Sequence, residues 1–255
     1  MKKERLDDLL LSRGLAPSKS RAQALILAGK VCVGEHRRDK PGERFPEDAS
    51  IRVTTKDRWA SRGAHKLLGA FEAFPWLLER VHDARCLDVG ASTGGFTDVL
   101  LEHGAQGVVA VDVGYGQLVW RLQSDDRVHV FDRTNIRKLT PEALPWVPSL
   151  ATCDASFISL RLIVGVVFEL LAPGGLFVTL VKPQFEVRAD EVGEGGVVRD
   201  EALRERVRDE IIAASEAVGF IHRGAVDSPI AGPKGNREIL LVLEKLAHGD
   251  VPDRT

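Results

Sequence analysis

From residue 85 onward, short apolar runs alternate with helical patterns, and few architectures accommodate that order. Arg85-Cys86-Leu87-Asp88-Val89 reads as a buried strand, followed by a helix over residues 94–103. Residues 107–113, 128–131, 150–153 and 176–181 read as further strands, with a helix over 159–171 before the last of these. A long helix, about 200–217, precedes two more strands at 220–226 and 238–243. β and α elements at this spacing imply an α/β fold with a mostly parallel seven-stranded sheet and helices on both faces.

The 255 residues are 44% hydrophobic and 28% charged, which excludes disordered, collagenous and coiled-coil classes. The most apolar stretch, 160–181, is broken by Arg161, Glu169 and Pro173-Gly174-Gly175, so it is no membrane span and no stable membrane association is expected. No apolar segment follows Lys2-Lys3, so no signal peptide is expected. Cys32, Cys86 and Cys153 are too far apart for a thiolate metal site or a disulfide framework. No metal and a reducing, cytoplasmic setting are expected.

Sheets of this kind bind ligands at the carboxyl ends of their strands. The first strand of the body runs into Asp88-Val89-Gly90-Ala91-Ser92-Thr93-Gly94-Gly95-Phe96, where glycines allow close approach of a ligand and a helix N-terminus follows. Asp112, 24 residues after Asp88, ends the next strand and is placed to hold ribose hydroxyls. Gly114 and Gly116 crowd beside it. Asp132, Thr134 and Asn135 follow the third strand, where an adenine and its ribose would sit, although Asp132 and Thr134 equally suit a capping role. The glycine spacing is G-x-x-x-G-G rather than the G-x-G-x-x-G of dinucleotide sites, which disfavours a nicotinamide oxidoreductase. The run D-x-G-x-x-x-G-G-F resembles the loop of class I (Rossmann-like) S-adenosylmethionine-dependent methyltransferases. That resemblance implies S-adenosylmethionine held by Asp88, Gly90, Ala91, Ser92, Thr93, Gly94, Phe96, Asp112, Gly116, Asp132, Thr134 and Asn135.

Charge is unevenly placed. Residues 1–66 carry a net +7 and residues 67–255 a net −9. A basic front on an acidic body suggests that the first quarter of the chain meets a polyanion. That quarter reads as two short amphipathic helices, with stripes Leu6/Leu9/Leu10 and Ala22/Leu25/Ile26, stopped by Gly14 and Gly29. Two short strands follow, at 31–33 and 51–53, around a polar stretch 35–48 with a Pro41-Gly42 turn. Arg5-Leu6-Asp7, Ser20-Arg21, Ile26 and Gly29-Lys30-Val31-Cys32-Val33 resemble the α+β S4 RNA-binding domain. On that reading Arg5, Lys19, Arg21 and Lys30, with Arg62 further on, contact RNA phosphates.

Asp154 and Lys182 end the fourth and fifth body strands, 28 residues apart, one βαβ unit, so both should emerge side by side at the ligand end. Glu238 opens the final strand and joins them if that strand is antiparallel. Lys66 opens a helix with stripe Leu67/Phe71/Phe74, where a plain surface lysine is the simpler reading of it alone. Together Lys66, Asp154, Lys182 and Glu238 resemble the Lys-Asp-Lys-Glu tetrad of RrmJ/FtsJ-like 2′-O-ribose methyltransferases. The ordered motifs S-R-G-A-H-K-L, D-V-G-A-S-T-G-G-F-T, V-D-V-G-Y-G-Q-L, D-A-S-F-I-S-L, V-K-P-Q-F-E and G-N-R-E-I behind an S4 domain are similar to the TlyA family, also called hemolysin A.

That resemblance implies domains at 1–54 (S4) and 64–246 (methyltransferase), joined by a linker 55–63 and followed by a tail 247–255. It also implies methylation of cytidines in 16S ribosomal RNA, 23S ribosomal RNA or both, within ribosomal subunits. Lys182 would be the general base, Asp154 and Glu238 would orient it, and Lys66 would steady ribose or phosphate. A lysine is a poor base at a reference pKa of about 10.4. A second lysine, a nearby sulfonium and burial lower that value, whereas carboxylates raise it. The glycine-containing segment 186–200 reads as a mobile loop covering the RNA, and Trp59 as a pin at the domain interface. A membrane-lytic protein would need a long amphipathic or apolar segment, and none is present. An RNA-binding relative that had lost catalysis would lack tetrad or loop residues, and none is missing.

Overall fold

The computed structural model describes residues 3–53 and 58–246, and its contacts divide the chain into two units that meet at Arg58 and Trp59. Residues 55–57 of the expected linker and the expected tail 247–255 lie outside the described residues.

In the first unit, strand β1 (Lys3–Arg5) leads into helices α1 (Leu6–Ser12) and α2 (Lys19–Leu27). Both helices end as the glycines require. Gly14 and Gly29 adopt φ of +68° and +61°, and the next residue reaches back five positions, Leu15 N to Leu10 O (2.8 Å) and Lys30 N to Leu25 O (2.9 Å). Ser18 caps α2 by accepting from Arg21 N at 3.2 Å. Leu6, Leu10, Ala22 and Ile26 bury against Val31, with Val33, Phe45, Ile51 and Val53 around them.

Strands β2 (Val31–Val33), β3 (His36–Arg38), β4 (Arg44–Pro46) and β5 (Ile51–Val53) complete the unit. β3 and β4 lie in the stretch read from sequence as polar turn. β3 returns along β2 through a two-residue Gly34-Glu35 loop, with Gly34 at φ +59°, and β4 pairs antiparallel with β1. β3 is polar and mostly exposed, and β4 offers a single half-buried aromatic, Phe45, so no apolar alternation marks either strand.

The second unit opens with α3 (Ala64–Ala73) and α4 (Leu77–Val81). It continues through β6 (Arg85–Val89), α5 (Gly95–Glu102), β7 (Gly107–Val111), α6 (Trp120–Gln123), β8 (Val128–Phe131) and β9 (Leu150–Cys153). A 3₁₀ turn at Leu160–Leu162, α7 (Val164–Leu170), β10 (Leu176–Val181), α8 (Glu201–Ala217), β11 (Phe220–Asp227) and β12 (Ile239–Lys245) complete it. The seven strands lie in the order β8-β7-β6-β9-β10-β12-β11, all parallel except β12.

Alternate residues feed two cores. Leu176, Val178 and Leu180 of β10 join Leu67, Phe71, Val99 and Leu100 on one face, and Phe177 and Val181 join Val164, Val167, Val207 and Ile211 on the other. Helices therefore cover both faces, the doubly wound α/β plan expected. The helix expected over 159–171 is interrupted at Ile163, which leaves the helical run at φ −109°. Trp59, expected at a domain interface, is buried in the first of these two cores.

The chain leaves β6 outward to β7 and β8, then crosses back to β9 and β10. The strand order thus reverses between β6 and β9, and the cleft at their carboxyl ends is where a ligand fits this fold.

Candidate active site

The loop after β6 is shaped by what it must pass. Gly90 has φ +76°, and a Cβ there would lie 2.9 Å from Ala155 Cα and 3.0 Å from Ala155 N. Only glycine lets the loop run against the backbone that follows Asp154. Ser92 holds φ +48° and donates its N–H to Asp112 Oδ2 at 2.8 Å, while Gly114 N donates to Asp112 Oδ1 at 2.7 Å. Each Asp112 oxygen keeps a further acceptor position, which suits a vicinal diol.

A cavity of about 550 Å³ opens here, bounded by Gly90, Ser92, Asp112, Gln117, Thr134 and Asn135, with Val113, Ile136, Phe157 and Ile158 as apolar walls. A second, of about 370 Å³, adjoins it and shares Gly90, Ser92, Asp154 and Ser156. Ala91, Thr93, Phe96, Lys66, Lys182 and Arg62 line the second cavity, with Ser61 and Ile230-Ala231-Gly232.

Four expected cofactor residues are not in these walls. Asp88 is wholly buried. Its Oδ2 accepts from Thr97 N (3.0 Å) and Thr97 Oγ1 (2.7 Å), and its Oδ1 accepts from Thr152 Oγ1 (2.9 Å). It therefore fixes the start of α5 and so the loop, not a ligand directly. Gly94, at φ +98°, makes the turn into α5. Gly116 N donates to Asp132 Oδ2 at 2.9 Å, so these two brace the 113–117 loop. Thr134 and Asn135 do line the larger cavity, and Asn135 also caps Arg137 N at 3.1 Å. Gln117, Ser61 and residues 230–232 escaped the sequence reading. Gln117 and Ser61 carried a signal, their places within the V-D-V-G-Y-G-Q-L and S-R-G-A-H-K-L runs, and residues 230–232 carried none.

Burial pushes the Asp88 carboxyl up to about 6, against the opposing effect of its threonine donors. A raised carboxyl in the folded protein favours the protonated form, so this group destabilises the fold as pH rises through roughly 4 to 6, by about 3 kcal/mol in all. Asp88→Asn abolishes that dependence. Urea unfolding of both proteins should show the variant gaining about 3 kcal/mol on the wild type between pH 4 and pH 7. Parallel pH curves would refute it.

The four ionisable residues converge. The parallel pairing Thr179↔Cys153 brings Asp154 and Lys182 out together, and the antiparallel pairing Val181↔Ile239 sets Glu238 beside them. Lys66 reaches down from the first turn of α3. Lys182 Nζ lies 2.7 Å from Asp154 Oδ1. Lys66 Nζ lies 3.1 Å from both Asp154 oxygens and 2.7 Å from Glu238 Oε2, the latter an ion pair without good hydrogen-bond angles. The result is a buried chain, Lys182–Asp154–Lys66–Glu238. Burial opposes the Lys66 charge, but Asp154 and Glu238 outweigh it and hold its pKa above the usual lysine value.

The following segment is pinned rather than loose. Glu186 accepts from Ser159 Oγ and Leu160 N, both at 2.7 Å, which ties the turn after β10 to the loop after β9. Glu191 pairs with Arg206 of α8 at 2.7 Å, and Asn236 takes Val198 N (3.0 Å) and gives to Gly196 O (2.9 Å).

Of the expected RNA contacts, Arg5 makes a two-pronged pair with buried Asp7, both bonds 2.9 Å, and Lys19 pairs with Asp8 at 2.6 Å. The Arg5 guanidinium holds the Asp7 carboxyl down to about 2. Both cations are thus paired within the first unit, Arg5 with a buried carboxylate and Lys19 with an exposed one. Arg21 and Arg62 are exposed and Lys30 half-buried. The register Cys32↔Arg37 and Cys32↔Arg52 adds two exposed arginines on one face of the three-stranded sheet; Arg37 lies on β3, which was unseen in sequence, and Arg52 on a strand that was seen but not singled out. Among the described residues, no group of His, Cys, Asp or Glu is arranged to hold a metal, and no helix is long and apolar enough to cross a membrane.

A switch-point cleft with a glycine loop on one side and a buried lysine–carboxylate chain on its floor defines a Rossmann-like methyltransferase. The FtsJ-like methyltransferase model matches residues 59–245 and the S4 domain model residues 4–51. YqxC of Bacillus subtilis is 48% identical over 95% of this chain and 86% of its own length. A Mycobacterium tuberculosis protein named 16S/23S rRNA (cytidine-2′-O)-methyltransferase TlyA is 46% identical over 95% of this chain and 90% of its own. The solved structure of a Streptococcus thermophilus chain that carries a hemolysin name superposes with a TM-score of 0.74 at 41% identity, covering 99% of this chain and 93% of that one. The chain belongs to the FtsJ-like methyltransferase family, in its S4-bearing TlyA/hemolysin A group.

Proposed function

We propose that the protein transfers a methyl group from S-adenosylmethionine to a ribose 2′-hydroxyl of ribosomal RNA, on cytidines of the small or large subunit, in the cytoplasm where ribosomes are assembled. The observation that carries this is the Lys182–Asp154–Lys66–Glu238 chain, whose two lysines line one cavity and whose Asp154 also lines the adjoining one. The relative named for 16S/23S cytidine-2′-O methylation supports the nucleotide and the RNA.

The larger cavity fits the cofactor. Asp112 has acceptor positions for the ribose diol, and apolar Val113, Ile136 and Ile158 flank the space for a purine, with Thr134 and Asn135 at its edge. When bound, S-adenosylmethionine supplies an electrophilic methyl on a sulfonium. Lys182 removes the 2′-hydroxyl proton. Asp154 fixes the Lys182 amine, Lys66 fixes Asp154, and Glu238 anchors Lys66. In the first unit, Arg21, Lys30, Arg37 and Arg52 meet RNA phosphates, which position the substrate without reading its sequence.

The test is methyl transfer from labelled S-adenosylmethionine to purified 30S and 50S subunits, with nucleoside analysis of the product. Label in 2′-O-methylcytidine is the expected result. Label in a base-methylated nucleoside, or none despite measured cofactor binding, overturns the reading.

A further inference from the structure

The hydrogen bonds at Lys182 bear on how its proton arrives. Nζ has three acceptors around it: Asp154 Oδ1 at 2.7 Å, the Asp154 carbonyl oxygen at 3.1 Å and Ser156 Oγ at 2.8 Å. An ammonium has three N–H bonds, so the charged lysine is fully satisfied and has nothing with which to accept a proton. The neutral amine keeps two N–H bonds and one lone pair, and the lone pair must lie along one of the same three directions. Carboxylate and carbonyl oxygens only accept, so a lone pair facing either is repelled. A hydroxyl donates as well as accepts. The lone pair of neutral Lys182 therefore faces Ser156.

Exposure points the same way. Lys182 is only 5% exposed, whereas Ser156 is exposed and lines both cavities, the one that fits the cofactor and the one that holds the lysines. A group arriving between the cavities meets the Ser156 hydroxyl beside the buried amine. Phe157, the next residue, holds a left-handed φ of +64°, a rare conformation for a bulky side chain that sets how the loop after β9 leaves Ser156.

We propose that Ser156 relays the proton from the ribose 2′-hydroxyl to Lys182, an inference that rests on the reading of Lys182 as the base. The 2′-O–H bond breaks and its proton passes to Ser156 Oγ, while the proton already on Ser156 passes to Lys182 Nζ. The electron pair of the 2′-oxygen forms the bond to the methyl carbon, and the pair of the broken carbon–sulfur bond stays with sulfur. Serine is restored, Lys182 ends as the ammonium, and no other reactant is needed.

The experiment is single-turnover methyl transfer to the ribosomal subunit with the full-length protein, Ser156→Ala, Ser156→Thr and Lys182→Met, in mixtures of light and heavy water. S-adenosylmethionine affinity is measured for each protein by calorimetry. Ser156→Ala is expected to slow transfer by about 10- to 100-fold, at the lower part of the range for a proton-transferring group, with cofactor affinity unchanged. Ser156→Thr, which keeps the hydroxyl, restores most of the rate. The wild-type rate should fall along a curve with deuterium content, as two moving protons require, and the alanine variant along a straight line. Lys182→Met slowed by about 10²-fold or more with Ser156→Ala at the wild-type rate overturns the relay alone. Lys182→Met within a few-fold of the wild-type rate overturns the reading of the base and the relay with it. A loss in Ser156→Ala explained wholly by weaker cofactor binding also overturns the relay.

Discussion

Lys182→Met should lower methyl transfer by roughly 10²- to 10⁴-fold while leaving the protein nearly as stable as the wild type. The kinetic range is what a positioned base contributes, and it corresponds to about 3–5 kcal/mol of barrier. Activity should not vanish, because holding the hydroxyl in line with the methyl survives the substitution, and positioning supplies a separate share of the acceleration. The stability half follows from the order of charges. Lys182 stands at one end of the chain, and its carboxylate neighbour, Asp154, keeps both hydrogen bonds from Lys66 at 3.1 Å when Lys182 is gone. No carboxylate is orphaned. Methionine also keeps the buried aliphatic stem and close to the volume of lysine. Single-turnover transfer and thermal unfolding of the same preparation measure both halves. Transfer within a few-fold of the wild type would remove Lys182 from the role of base, and a collapsed melting temperature would show that the end of the chain is structural.

Which parts of this arrangement could be read from the sequence follows from how each residue is held. β6, β7, β9 and β10 are buried on both faces, so they are largely apolar runs, broken only by Arg85, Asp88, Thr152 and Thr179, and announce themselves. β3 and β4 are three-residue strands held by backbone pairing, one polar and the other with only Phe45 against the core, and nothing in their composition separates them from a turn. The site divides in the same way. Asp154 and Lys182 are one βαβ unit apart, and that spacing alone brings them together. Lys66 reads alone as a surface lysine. Only the packing of α3 on the sheet buries it, and only the likeness to a tetrad singled it out beforehand. Asp88 shows the converse. Its position in the glycine loop suggested a ligand contact, yet strand alternation turns it inward to Thr97 and Thr152. Ile230-Ala231-Gly232 has no chemical signature, because it contributes space and backbone. Ser156 was in view within D-A-S-F-I-S-L, but its role depends on three distances around one nitrogen that no pattern encodes.

Lys66→Met is expected to have the opposite profile from Lys182→Met, with a loss of about 3–5 kcal/mol of stability. Lys66 is the inner lysine and is 7% exposed. Glu238 beside it has no exposed side-chain surface, and Lys66 is its ion-pair partner among the described residues, at 2.7 Å. Removing the ammonium leaves a carboxylate sealed in the protein with no compensating charge, which costs far more than the pair contributed. Asp154 is spared because Lys182 still reaches it at 2.7 Å. The test that separates an orphaned charge from a damaged core is the paired variant Lys66→Met/Glu238→Met. Two apolar side chains of similar size remove both charges, so most of the lost stability should return, and the double-mutant cycle should report a strongly favourable coupling between the two positions. Urea unfolding at neutral pH measures it. The wild-type contribution should also persist across the neutral range. A lysine pKa raised in the folded protein stabilises fully below the unfolded value of about 10.4, and that stability is lost only as pH climbs through the raised one. A double variant no more stable than Lys66→Met would mean that Lys66 supports the fold through packing of its stem, and that Glu238 is compensated by something other than this lysine.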